Sequence, residues 1–212
     1  MSSYARESLH QRFFFSDSIT ISSSSGVGGT TTFDLLKSHL PECTRFVSGG
    51  AAMRALAQQK GMSIEEFAVH LLDHPEVDRQ IDRMIKEFGQ QNFTLIEGRL
   101  PHILVSGFRV KLDCMLDERA RRACLKANPE REPTASEIKL AANKLDGRDK
   151  ADALRYDKLY PGWNWSNVHY DLCLRTDKLK PNEVVNEILR SHKEWKSSAL
   201  VKRRLITGII GL

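Results

Sequence analysis

The stretch Ile19-Thr20-Ile21-Ser22-Ser23-Ser24-Ser25-Gly26-Val27-Gly28-Gly29-Thr30-Thr31 runs from a short apolar strand, through a turn of serine and glycine, into an amphipathic segment from Thr31 to Leu40. A glycine turn between strand and helix lets successive backbone N–H groups converge on an anion, and the helix dipole adds partial positive charge there. The pattern G-x-x-x-x-G-K-[ST] is met in part. Gly28 and Thr30 fit it, but Ser23 stands where the first glycine belongs and Gly29 where the lysine belongs. A flexible linker has a similar composition, but position between two patterned elements favours an anion site. Gly26, Gly28, Gly29, Thr30 and Thr31 are therefore expected to cradle phosphates, with the Thr30 hydroxyl offered to a magnesium ion.

Working outward, four more runs have strand character: Thr44 to Ser48, Phe93 to Glu97, Val110 to Met115 and Tyr170 to Leu174. Each is short and rich in β-branched or aliphatic residues. Helical patterns lie between them at Ala51 to Lys60, Ser63 to Leu72, Pro75 to Phe88 and Asp117 to Lys126. Ser63 with Glu66 forms a capping box after Gly61, and Pro75 opens a helix with Glu76 and Asp78 in its first turn, where the dipole favours anions. Strands alternating with helices predict an α/β class with a parallel sheet covered on both faces. Residues 128–160 interrupt the alternation with a highly charged helical stretch, expected to be mostly solvent-facing, as a plain exposed hairpin or a mobile lid.

The 212 residues suit one domain, expected at 18–195, with a leader at 1–17 and a basic tail at 196–212. No run approaches the roughly 18 apolar residues of a membrane span, and no secretory signal is readable. The net charge of +5 sits mostly in residues 193–212, where Lys193, Lys196, Lys202, Arg203 and Arg204 face Glu194 alone. A basic end without interleaved aromatics argues against a nucleic-acid partner. Four dispersed cysteines form no metal clip; Cys114 and Cys173, in apolar runs, are expected to be reduced core residues of a cytoplasmic protein. No histidine pair has metal spacing. His102 is expected to be an ordinary loop residue, and Trp163 and Trp165 to pack the return from the lid.

Arginines offer the remaining phosphate-binding chemistry, since a guanidinium fork matches phosphate oxygens in a bidentate way. Arg54 follows the second strand and Arg99 the third, near the carboxyl ends where open parallel sheets bind ligands. Arg148, Asp152 and Arg155 at i, i+4 and i+7 share one helical face. They form either an exposed ion-pair ladder or a pair of arginines poised over a transferring phosphate. Arg119 and Arg122 begin the helix before the insertion and are placed to join them. Phosphoryl transfer rests on positioning and cations, so an arginine-bearing lid suits it.

Several stretches, in order, resemble the cytidylate kinase-like group of nucleoside monophosphate kinases, especially its short archaeal-type members. They are Ile19 to Ser22, Val47-Ser48-Gly49-Gly50 with Arg54, Lys60 to Phe67, Pro75 to Arg83, Leu95-Ile96-Glu97-Gly98-Arg99-Leu100, Arg155-Tyr156 with Leu159-Tyr160, and Tyr170-Asp171-Leu172. The resemblance spans about Ser18 to Leu189. It implies a three-layer P-loop NTPase fold with a five-stranded parallel sheet and a helical lid, and transfer of the ATP γ-phosphoryl group to CMP or dCMP with Mg2+. Ser48, Arg54 and Arg99 match positions that face the monophosphate. Arg148, Asp152 and Arg155 match lid positions that bind the cytidine nucleotide and its phosphates. The archaeal-type loop has Gly-Lys-Thr where this chain has Gly28-Gly29-Thr30; Ala51, His74 and Ala153 replace two acidic residues and an arginine. The alternative the sequence leaves open is a nucleotide-binding pseudokinase that acts as a sensor or partner module.

Overall fold

Alternating side chains on the sheet supply two cores at once. On β3 (Thr94–Gly98) Leu95 faces one core and Ile96 the other, and both are fully buried. On β1 (Ile19–Ser23) Ile19 and Ile21 enter the first core. Thr20 and Ser22, equally buried, spend their hydroxyls on the Phe108 carbonyl and on His102. A strand buried on both faces belongs in the middle of a parallel sheet. The computed structural model describes residues 17–42, 45–89, 93–161 and 169–210, with side chains through 198, and Trp163 and Trp165 lie outside the described residues.

The five strands, completed by β2 (Arg45–Ser48), β4 (Phe108–Asp113) and β5 (Leu172–Arg175), are ordered β2-β3-β1-β4-β5 and are all parallel. In register, Ile21 lies opposite Glu97 on one side and Val110 on the other. The chain thus leaves β1 between two parallel neighbours, the switch point at which such sheets bind ligands. The first core packs Phe33 and Leu36 of α1 (Gly29–His39) and Val184, Val185 and Ile188 of α8 (Pro181–Ile210) against the sheet. The second packs Ile81 and Ile85 of α4 (Pro75–Gly89) with Leu104 of α5 (Pro101–Leu104) against Val47 and Ile96. The three-layer P-loop fold is therefore present.

Between β2 and β3 also lie α2 (Gly49–Gln59) and α3 (Ile64–His70). The expected Ser63–Glu66 capping box is formed in both directions, after Gly61 at φ 66°. After β4 come α6 (Leu116–Ala127) and α7 (Ala135–Leu159), the latter opened by a second capping box between Thr134 and Glu137. Helix α8 runs without a break past residue 196 to Ile210. Among the described residues no helix is long and apolar enough to cross a membrane.

Two expectations change. The charged insertion does not merely face solvent: Ala142, Asp152, Arg155 and Tyr156 of α7 are buried, and Tyr156 joins the second core. Its charges find partners on other elements, which makes their burial tolerable. Cys114 is buried as expected, but Cys173 is exposed, because it lies on the open edge strand β5 and points away from Leu174.

Candidate active site

The turn after β1 is built around two glycines with positive φ, Gly26 at 77° and Gly28 at 105°, the second capping α1 in the left-handed region. The loop and the amino end of α1 open onto a cleft of ≈ 660 Å³, lined by Ser23 through Gly26 and by Gly28, Gly29, Thr30 and Thr31. Thr30 and Thr31 are exposed to it. Gly29 is not among the positive-φ residues, so backbone angle does not dictate glycine there. Space does. A Cβ on Gly29 would overlap Ser23 Oγ and stand 3.1 Å from Glu97 Oε1. The two departures from the phosphate-loop pattern are thus one: the serine at 23 fills the room that a side chain at 29 would need.

Glu97 ends β3 beside this loop and is 7% exposed. Its Oε2 accepts a hydrogen bond from Ser48 Oγ at 2.7 Å, and among the described residues it has no cationic partner. Ser48 in turn caps α2 by accepting from Ala51 N–H at 3.1 Å. Its hydroxyl is therefore engaged at both lone pair and proton, and Ser48 itself does not line the cleft.

Three arginines hold the loop in shape. Arg99 donates to the Ser23 carbonyl, to Ser25 Oγ at 2.7 Å and to Asp152 Oδ2 at 3.0 Å. Arg119, buried, donates to the Ser25 carbonyl and to Asp149, each at 2.7 Å. Arg122 donates to the Val27 carbonyl at 3.3 Å and to the Thr176 carbonyl at 2.7 Å, and Glu118 orients it. Arg99 and Arg119 so tie the loop to two carboxylates on one face of α7. Of the two, Asp152 belongs to the Arg148, Asp152 and Arg155 face read from the sequence, which turns inward onto the cleft, and Asp149 lies beside that face.

Two arginines end in the cleft without such ties. Arg54 on α2 is exposed, and among the described residues it makes no hydrogen bond or ion pair. Arg148 likewise has no ion pair, and its Nε is buried without a hydrogen-bond partner. Burial, with the nearby Arg99 charge, presses its pKa below the usual guanidinium value. A site that strains to hold cations together is prepared for an anion.

Deeper in the cleft, Arg155 Nη2 donates to Asp152 Oδ1 at 3.0 Å and to the Tyr156 hydroxyl at 2.8 Å, while its Nε faces Asp78 Oδ2 at 3.4 Å. Burial pushes Asp78 up to about 6, against the pull of Arg155. Asp82, whose carboxylate accepts from Tyr160 at 2.5 Å, is raised by burial too.

The structure brings Gly26, Gly28, Gly29, Thr30, Thr31, Arg54, Arg99, Arg122, Arg148, Asp152 and Arg155 to the edge of one cleft. Arg119 stands behind the loop rather than in it. His102 is neither a loop residue nor a ligand contact: it sits in α5, 1% exposed, with Nδ1 2.7 Å from Ser22 Oγ. Burial drives its pKa down to about 3. Glu97 and Asp78 were missed as site residues. Each carried a signal: Glu97 is the carboxylate at the end of an otherwise apolar strand, and Asp78 stands one turn before Ile81 and two before Ile85 on the apolar stripe of α4.

No family model matches the chain. Among curated proteins it is 33% identical to the cytidylate kinase of Methanobrevibacter smithii over 82% of this chain and 98% of that protein. It is 33% identical to that of Pyrococcus horikoshii over 78% and 83%. Among solved structures, a gluconokinase from Sinorhizobium meliloti superposes with a TM-score of 0.51 at 10% identity, covering 87% of this chain and 96% of that one. Shikimate kinase from Acinetobacter baumannii, at 15% identity, gives 0.50 over 82% and 90%. Those likenesses speak for the fold alone. Identity sustained at one third over nearly the whole of an archaeal relative speaks for descent, and the chain belongs to the cytidylate kinase family.

Proposed function

We propose that this protein transfers the γ-phosphoryl group of ATP to CMP or dCMP. One observation carries the reading: a backbone anion loop and two arginines without ion-pair partners among the described residues, Arg54 and Arg148, converge on a single cleft. Family membership supplies the nucleotide class. Residues 23–31 hold the ATP phosphates with backbone N–H groups, and Arg54 holds the phosphate of the acceptor. Arg148 meets the charge that spreads over the transferring group, as a transition state of that kind requires. Arg99, Arg119 and Arg122 keep the loop and α7 in register, and Arg122 and Lys126, both on the cleft wall, supply positive charge in place of a lysine at 29. Asp152 fixes Arg99 and Arg155, and Ser48 fixes Glu97. Helix α7 excludes water, so that the acceptor rather than water takes the phosphoryl group.

The residues fit Mg2+. This ion takes few protein donors, all oxygen, and leaves the rest to water and phosphate. Thr30 Oγ1 and the buried Glu97 carboxylate, which has no cationic partner among the described residues, are the two that would hold it. Held there, the ion would supply positive charge to the phosphate oxygens.

The test is diphosphate formation from ATP and Mg2+ with CMP, dCMP, UMP or AMP, with Arg148→Met as the control for contaminating kinases. Turnover of CMP that disappears in the variant is the expected result. Nucleotide binding without turnover would leave the protein a binding module and end the kinase reading.

A further inference from the structure

The anion loop lacks one positive charge at a definite place. In the G-x-x-x-x-G-K-[ST] pattern a lysine ammonium reaches the β- and γ-phosphates, and Gly29 has no side chain to do so. Two oxygens border the room that such a side chain would enter: a Cβ on Gly29 would overlap Ser23 Oγ and stand 3.1 Å from Glu97 Oε1. Both residues line the cleft and both are buried, Ser23 at 4% and Glu97 at 7% exposure. Arg99 holds the Ser23 carbonyl and leaves its hydroxyl alone, while Ser48 donates to the other Glu97 oxygen, Oε2. Among the described residues Ser23 Oγ and Glu97 Oε1 make no hydrogen bond, and Glu97 meets no cation. A buried carboxylate without a cation is costly, and phosphates entering the same cleft would add like charge beside it. Arg122, on the α6 wall, approaches Gly28 rather than Gly29, with Nη1 3.9 Å from a Cβ placed there.

We infer that a monovalent cation of potassium size binds at Ser23 Oγ and Glu97 Oε1 and stands in for the absent lysine ammonium. Its protein donors are a neutral hydroxyl and one carboxylate oxygen, and phosphate oxygens of the bound nucleotide complete the set. Hard cations take oxygen ligands of this kind, and so little fixed negative charge suits a single positive one. The carboxylate has lone pairs enough to serve this ion and the magnesium on Thr30 together. Potassium and ammonium ions are close in size, so either fills the place. Lithium holds its water too tightly, and tetramethylammonium carries the charge but is too bulky to reach both oxygens. The serine that shuts out a side chain at 29 thus supplies a ligand to its replacement.

The inference rests on the monophosphate-kinase reading, and its test is ATP binding, which does not need turnover. With Mg2+ saturating and ionic strength held constant, calorimetry on the wild type should show ATP bound about 10-fold more tightly in KCl or NH4Cl than in tetramethylammonium chloride. Affinity in LiCl should stay near the tetramethylammonium value. Ser23→Ala keeps the loop glycines and should lose most of the potassium effect. Ser23→Gly with Gly29→Lys brings its own ammonium and should bind ATP equally in KCl and tetramethylammonium chloride; if that pair does not fold, the wild type and Ser23→Ala decide alone. Equal ATP affinity in the two salts in the wild type would overturn the inference, as would a potassium effect that Ser23→Ala leaves at full size. Phosphoryl transfer indifferent to potassium would keep the kinase reading and remove the cation. Potassium-dependent binding that follows Ser23 but comes without phosphoryl transfer would sustain the inference and remove only the kinase reading.

Discussion

The loop side of the cleft and its open side use the same residue for opposite purposes. Arg99, Arg119 and Arg122 are committed: each donates to a loop carbonyl and to a carboxylate. Arg54 and Arg148 are uncommitted, the first exposed and the second with a buried Nε that finds no partner. Sequence pattern cannot tell these two kinds of arginine apart, since pattern records which residues share a face and not which of them already have partners. Partner count separates them, and it predicts which substitutions will be read in turnover and which in stability.

The largest effect is expected at Arg148. Arg148→Met keeps the stem and removes the charge, and should lower kcat by about 10²–10³-fold, as loss of one preorganised charge does elsewhere, with Tm nearly unchanged. Steady-state kinetics beside a thermal melt checks this. A Tm drop of many degrees with kcat intact would move Arg148 into the committed group.

Arg119→Met should do the reverse. It leaves Asp149 and the Ser25 carbonyl without their donor, and breaking a buried charge contact of this kind costs about 2–3 kcal/mol. Denaturant unfolding of the apoprotein should show it at full size with no nucleotide present. If stability is unchanged and only ATP binding falls, Arg119 belongs to the ligand side.

Next comes the loop itself. Gly29→Lys alone puts a Cβ into Ser23 Oγ and should destabilise by about 1–3 kcal/mol through overpacking. Ser23→Gly with Gly29→Lys vacates that space, so the pair should recover most of the loss and lower the KM for ATP severalfold. A double-mutant cycle reads the coupling directly. Additive effects would mean that the serine and the glycine are independent, and that steric exchange is not the reason the lysine is absent.

What the sequence disclosed followed from how local each signal is. Strand, turn and helix around 19–40 were readable because they depend on neighbours in the chain, and the 148/152/155 face because helical spacing is fixed. Alternation of Leu95 and Ile96 gave the two-sided sheet. The insertion is mostly solvent-facing, as its charge implies, but its buried inner face was not legible because the charges there are satisfied from far away: Asp152 by Arg99, Asp149 by Arg119, Arg155 by Asp78. Pairings that cross 30 to 77 positions leave no periodic trace. For the same reason the bond from Ser22 to His102 was invisible, and His102 was taken for a loop residue although it anchors the carboxyl end of β1.

The smallest effect sets the framework against the cleft by pH. His102, facing Arg109 and Lys111 and buried, has its pKa lowered to about 3. The folded protein therefore binds fewer protons here than the unfolded chain, whose imidazole titrates near 6.5, and acid favours unfolding. Between pH 7 and pH 5.5 this site alone should remove about 1 kcal/mol. Asp78 has the opposite sign. Buried among Arg155, Asp82 and Asp152, it titrates near 6 in the fold and near 3.9 when unfolded, so the fold takes up the proton first and gains about 0.8 kcal/mol over the same range. The two contributions nearly cancel, so between them these sites leave little net slope in that window, and the variants are compared with the wild type. Each substitution unmasks the other site: relative to the wild type, Asp78→Asn should lose stability toward pH 5.5, and His102→Asn should gain it. Parallel slopes in the two variants would show that neither group titrates as its surroundings dictate. Opposed slopes would show that the framework and the cleft respond to protons independently, as their separate sets of partners imply.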